Sequence, residues 1–250
     1  MLLASPIQRV MKRMVSIRAV LTVLAVYGIC ITVLVTVAVW SNPVHRAALC
    51  MAWGLIVFWC FGMGLVSRYL KTPISNVVTR ISLNWKVRFV LFATVMALIE
   101  EAVTVTMTNC APLFGVQVGQ AYITASANYL DVVCLHSVVV FVPMFVCWAF
   151  LLSRYDYRPL QVLFLFGLTG TLAEMSFAGI QAVAQVGFWM FVYGLMVYLP
   201  ACSVPVGRNV RSLRWWNWPL AVLLPFVFVI PVAGVIHYLH PIKIHFPPIQ

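Results

Sequence analysis

Apolar residues run along this chain in long, nearly unbroken stretches, not at a strand period of two or in one-sided helical stripes. Seven stretches reach the roughly 20 residues that a helix needs to cross a hydrocarbon core of ~30 Å. They cover approximately 18–40, 47–67, 88–109, 131–152, 159–181, 186–206 and 216–239. The pattern predicts an all-α, polytopic transmembrane helix bundle, a single integral membrane domain over residues 1–250. The first stretch follows Arg9, Lys12, Arg13 and Arg18 as a signal peptide would. Its apolar core from Ala19 to Trp40 is longer than the ~7–15 residues of a signal core, and no small-x-small cleavage site closes it. It reads as a retained first helix. Pro225 and Pro231 predict a kink in the last one.

Two connections are more than turns. In residues 71–87, Ile74, Val77, Val78 and Ile81 recur at helical spacing. This suits a helix over 72–86 lying in the membrane interface, or equally an ordinary basic loop. Residues 109–130 carry no charge and are too rich in Gly, Ser, Thr and Asn to span. They predict a re-entrant or capping loop, its backbone buried in protein and not in lipid. Trp215, Trp216 and Trp218 follow Arg214 and read as an interfacial anchor.

Composition agrees. Of 250 residues, 64% are hydrophobic and 8% charged, against a globular norm of about 25% charged, and mean hydropathy is +1.02. A soluble domain and a disordered chain are excluded. The net charge of +11 does not indicate a nucleic-acid partner, because the basic residues lie between apolar runs and not on one soluble face. Fourteen of the sixteen Lys and Arg fall in alternate connections; only Arg46 and Lys243 fall in the others. By the positive-inside rule the N-terminus is cytoplasmic and the C-terminus outside. The lipid bilayer is the expected partner, in a prokaryotic cytoplasmic membrane. The seven cysteines show no metal-finger spacing; Cys110 and Cys134 fall near one membrane face, where a disulfide is conceivable. No cofactor is expected and no metal ligands are assigned, since the Glu-x-x-His pattern of di-iron bundles is absent.

Candidate chemistry rests on the five acids, Glu100, Glu101, Asp131, Asp156 and Glu174. Asp156 lies in the turn SRYDYRP and reads as a partner of Arg154 or Arg158. Asp131 reads as a helix cap and dipole partner. Glu100, Glu101 and Glu174 fall well inside predicted spans, where each costs about 2.5–3.5 kcal/mol on insertion. They are expected to face the bundle interior. Ala93, Ala97, Glu101, Thr104 and Thr108 form one small, polar helical stripe, and Gly167, Gly170, Thr171, Glu174, Ala178 and Gln181 another. Such stripes let helices approach closely, so spans 3 and 5 should pack together or flank one helix. The segments LFATVMALIEEA from Leu91 and LFGLTGTLAEMS from Leu165 align without gaps and share Glu at their tenth position. A parallel repeat would set Glu100 and Glu174 at equal depth. With Asn109, Asn128, Asp131 and His136, these groups form the expected polar site.

LIEEAVTVT (Leu98–Thr106) and VVCLH (Val132–His136) resemble the first two motifs, E-E-x-x-x-R and F-x-x-x-H, of the CAAX-protease and bacteriocin-processing family of glutamic intramembrane proteases. The resemblance implies Glu100, paired with Glu101, as water-activating base and His136 as its partner. Val105 stands in the Arg place and Val132 in the Phe place, and no later H-x-x-x-N follows. Three readings stay open: a peptidase acting on a membrane peptide, a proton- or cation-coupled transporter of a small ion, and a non-catalytic membrane subunit or scaffold.

Overall fold

A computed structural model describes residues 6–242 and 244–246, with side chains from residue 17 on, Phe177 excepted. Lys243 and the side chains of Arg9, Lys12 and Arg13 therefore lie outside the described residues. All regular structure among the described residues is helical. In chain order the α-helices are α1 (Pro6–Val39), α2 (Pro43–Leu55), α3 (Gly62–Tyr69), α4 (Lys71–Arg80), α5 (Trp85–Asn109), α6 (Tyr129–Asp131), α7 (Val138–Arg154), α8 (Pro159–Ala178), α9 (Val186–Cys202) and α10 (Asn217–Leu239). A π turn, Ile56–Phe61, joins α2 to α3, and a second, Val132–His136, continues α6.

Five of the predicted stretches are helices long and apolar enough to cross a membrane: Ile17–Val39, Pro43–Tyr69, Trp85–Asn109, Ile180–Cys202 and Asn217–Leu239. Tyr129–His136 and Val138–Arg154 form a sixth if the pair, bent by 47°, is one span. Helix α8 is 20 residues long. Helix α10 runs through Pro225 and Pro231 as one element.

The distribution of apolar side chains is that of a membrane protein. Val23, Val33, Val37, Phe58, Phe61, Ile230 and Val235 are exposed on the outer faces of their helices. In water this girdle would exceed the apolar patch a soluble monomer leaves uncovered. The interior is just as apolar and tightly filled, with Trp59, Phe145, Trp148, Phe166, Met190 and Met196 sealed from solvent. Helix α9 is the central post: α1, α5 and α8 all pack on it. Glycines permit these contacts. A Cβ on Gly187 would stand 2.3 Å from the Leu24 carbonyl oxygen, and one on Gly170 would stand 2.1 Å from the Tyr193 ring. The glycine face of α8 thus receives α9, and spans 3 and 5 flank one helix.

The connections that carry the basic residues gather at one end. Ser75 on α4 donates to the Cys202 carbonyl (3.1 Å), Arg88 to those of Thr79 and Ile81 (2.9 and 2.8 Å), and Arg208 lies over the Trp85 ring. Asp156 makes no ion pair among the described residues. Its contact is through the backbone, its N–H donating to the Arg211 carbonyl at 3.0 Å, which replaces the expected pairing with Arg154 or Arg158. Burial pulls the Arg208 guanidinium down from its ordinary value, and Asp156 partly opposes this. Helix α4 stops at Arg80, short of the expected 86, because Trp85 already begins α5 under the side-chain cap of Asn84.

At the opposite end, residues 110–128 form an irregular cover. Ala111, Val116 and Ala121 pack with Met107 and with Ala47 and Met51 of α2 as a small second core. The Thr108 hydroxyl accepts from the Ile123 N–H (3.3 Å), and Asn109 donates to the Ala127 carbonyl (2.9 Å). Part of the uncharged segment is therefore packed against protein. The C-terminal tail folds back onto it. The His245 N–H donates to the Ala125 carbonyl at 2.8 Å, and Phe246 stacks on Tyr122 at 4.8 Å between centroids.

Candidate functional site

The predicted polar residues divide into two groups, held apart by the break between α6 and α7. At Ser137 (φ −116°, ψ −74°) the backbone leaves the π turn and starts a new helix direction. π turns of this kind recur at functional positions because they re-aim side chains. Here His136 turns toward the chain's loop end, while Ser137 turns to α5.

The first group is acidic. Glu100 and Glu101 lie on α5 at 4% and 7% exposure. Thr104, one turn on, donates to Glu100 Oε1 at 2.9 Å and to the Glu100 carbonyl at 3.0 Å. The Ser137 hydroxyl donates to Glu101. From α8, the half-buried Glu174 accepts from the hydroxyl of Tyr193 on α9. Tyr193 stands within electrostatic reach of all three glutamates. Among the described residues both ion-pair contacts fall on Asp131 and neither involves these acids.

The second group is an Asp/His cluster. Asp131 and His136, five residues apart around the π turn, meet His240 at the end of α10 and His245 in the tail. One ligand atom of each lies within 4.8 Å of the others. Oδ2 of Asp131 is 3.0 Å from His245 Nδ1 and 3.6 Å from His136 Nε2, and the His240 and His245 Nε2 atoms are 2.8 Å apart. The ring of His136 meets those of His240 and His245 edge-on, at 5.3 and 4.9 Å.

Of the expected site residues, Glu100, Glu101, Thr104 and Glu174 thus come together. His136 joins Asp131, and no hydrogen bond or ion pair links it to Glu100 or Glu101 among the described residues. Asp131 lies in the first turn of α6, but the cap is Asn128, whose side chain accepts from the Leu130 N–H at 3.0 Å. Asp131 is free for the histidines as a result. Asn109 holds the cover loop. Gln181 is exposed and donates to the Ala178 carbonyl just past α8, outside both groups. All seven cysteines are free, Cys110 and Cys134 included. The residues added by the fold are Ser137, Tyr193, His240 and His245. The pair His240 and His245, bracketing a proline in a short tail, is the one signal of this second site that the sequence carries.

No family model matches the chain, and neither a curated protein nor a solved structure matches it.

Proposed function

We propose that this chain is a proton-handling integral membrane protein, a proton- or cation-coupled transporter of seven spans with its N-terminus in the cytoplasm. In this reading α8 is the seventh span and Glu100, Glu101 and Glu174 lie within the bilayer. The observation that carries it is the burial of Glu100 and Glu101 on α5 together with the hydrogen bond from Tyr193 on α9 to Glu174 on α8. Buried carboxyl groups in a membrane are costly and typically mark a proton or ion path. Here each acid holds one hydroxyl donor, Thr104 on Glu100, Ser137 on Glu101 and Tyr193 on Glu174. The broken span at Ser137 supports the same reading, because discontinuous helices frame the binding sites of many secondary transporters.

The test is flux. The full chain in proteoliposomes containing a pH-reporting dye is given an imposed proton gradient, with and without Na⁺ or K⁺. Glu174→Gln and Glu101→Gln are expected to lower flux at least tenfold without changing the elution profile in detergent. Equal flux in wild type, both variants and empty vesicles overturns the proposal.

The glutamic-peptidase reading keeps Glu100 as base and needs His136 beside the activated water. It has less support from the contacts, since His136 is engaged by Asp131 and the tail histidines. Cleavage of a membrane peptide that is lost in both Glu100→Gln and His136→Ala would favour it over transport.

A further inference from the structure

The geometry points to a transition-metal site at Asp131, His136, His240 and His245, of a kind that takes Zn²⁺ and clamps the C-terminal tail over the loop end of the bundle. It stands apart from the acid cluster and does not depend on the transport proposal.

Three imidazoles and one carboxylate are a borderline-soft donor set. Such sets suit Zn²⁺ and its neighbours, whereas Ca²⁺ and Mg²⁺ call for oxygen ligands throughout. Ligand bonds of about 2.0–2.1 Å place the corners of a tetrahedron about 3.3 Å apart. The observed separations of 3.0 and 3.6 Å from Asp131 Oδ2 bracket that value. His245 is set by its own contacts, the Ala125 carbonyl and the neighbouring Phe246–Tyr122 stack.

A purely hydrogen-bonded latch leaves two atoms unexplained. Asp131 Oδ2 and His136 Nε2 are buried and have no hydrogen-bond partner among the described residues. His245 Nδ1 is close enough to Oδ2 at 3.0 Å but not aligned to donate. Buried polar atoms without partners are costly, and short separations without hydrogen-bond direction are typical of ligand atoms converging on a shared cation. Four protein ligands complete a zinc coordination shell, which is the arrangement of structural sites and not of catalytic ones. The four come from the α6 turn and from the α10 end with its tail, so a bound ion would cross-link two stretches far apart in sequence.

The full chain, purified in detergent and stripped with chelator, is titrated with ZnCl₂ by calorimetry and with CoCl₂ by visible absorption. The expected result is one equivalent of Zn²⁺, tetrahedral Co²⁺ bands displaced by Zn²⁺, and a higher melting temperature with Zn²⁺. His245→Ala and Asp131→Asn should each weaken Zn²⁺ binding roughly 100-fold while melting like wild type in chelator. His237→Ala, at the end of α10 but outside the cluster, should bind as wild type does. The inference is overturned by absence of Zn²⁺ binding, by octahedral Co²⁺ bands, by binding that survives His136→Ala with His245→Ala, or by equal loss in His237→Ala. Because His245 lies beyond the last helix, its alanine variant tests the site without touching the bundle.

Discussion

The hydroxyl of Tyr193 on α9 donates to the carboxyl group of Glu174 on α8, at the same place where Gly170 makes room for the Tyr193 ring. One glycine, one phenol and one acid thus join the two helices that share the closest packing in the bundle. Tyr193→Phe keeps the ring, and with it the edge contact to Phe141 at 5.7 Å, but removes the only donor Glu174 has among the described residues. Hydrogen bonds between membrane helices average about 0.6 kcal/mol and reach ~1.7. A loss toward the upper value is expected here because an acid is left unpartnered. Thermal unfolding in detergent measures it. Tyr27→Phe, whose hydroxyl meets only the Ala184 carbonyl at 3.0 Å on an exposed face, should cost less.

The helices were legible in the sequence because the bilayer imposes a length and an apolar composition that no other fold shares. The buried face of α5 was legible too: Ala93, Ala97, Glu101, Thr104 and Thr108 are all buried, at the spacing expected. Glu174 was legible as an acid in an apolar run. Its partner was not, since a tyrosine among Trp189, Met190 and Phe191 carries no local mark of polarity. The Asp/His cluster was still less visible. Asp131 and His136 approach His240 and His245 only because the tail folds back onto the cover loop, and that depends on Phe246 meeting Tyr122 across a long sequence separation. The π turns were equally hidden, as hydropathy registers length and not local pitch.

Ser137 couples the broken span to α5 through Glu101. Ser137→Ala should destabilise the protein by about 0.6–1.7 kcal/mol. In a double-mutant cycle with Glu101→Ala the two costs should not add, because each variant removes the same bond. Additive costs would show that the contact contributes nothing. Ser176→Ala provides the comparison, since its hydroxyl only returns to the Ala173 carbonyl of its own helix.

Tyr157 lies in the connection between α7 and α8, 3% exposed, and donates to the Asn217 carbonyl at 2.6 Å. Burial, with Tyr155 and Cys147 close by, pushes its phenol up from the ordinary value of 10.0. The folded state then keeps its proton at a pH where the unfolded chain has lost it. Stability therefore falls as pH rises past about 10. Below that pH, Tyr157→Phe should be less stable than wild type by about 1 kcal/mol, the typical net worth of one hydrogen bond. Above it the gap should close at up to ~1.4 kcal/mol per pH unit. Urea unfolding at a series of alkaline pH values measures the gap directly. A constant difference from pH 8 to 11 would refute the assignment.

Glycine substitutions separate packing from polarity. At Gly187 an added Cβ would meet backbone, the Leu24 carbonyl oxygen at 2.3 Å and Gly28 Cα at 2.8 Å. Neither can rotate away, so α1 must shift off α9 as a whole. At Gly167 the added atom would meet Met190 Sδ at 2.5 Å and also the Met190 carbonyl oxygen at 2.6 Å; the flexible thioether can move but the carbonyl cannot. At Gly64 nothing lies within 4 Å. Overpacking a filled interior costs about 1–3 kcal/mol. The expected order of destabilisation is Gly187→Ala, then Gly167→Ala, with Gly64→Ala neutral or slightly stabilising, since alanine raises helix propensity by about 1 kcal/mol over glycine. Thermal unfolding of the three variants in one detergent checks the order. If Gly187→Ala melted no lower than Gly64→Ala, α1 would not be seated on α9 through these two glycines, and the contact that places the first helix in the bundle would have to lie elsewhere.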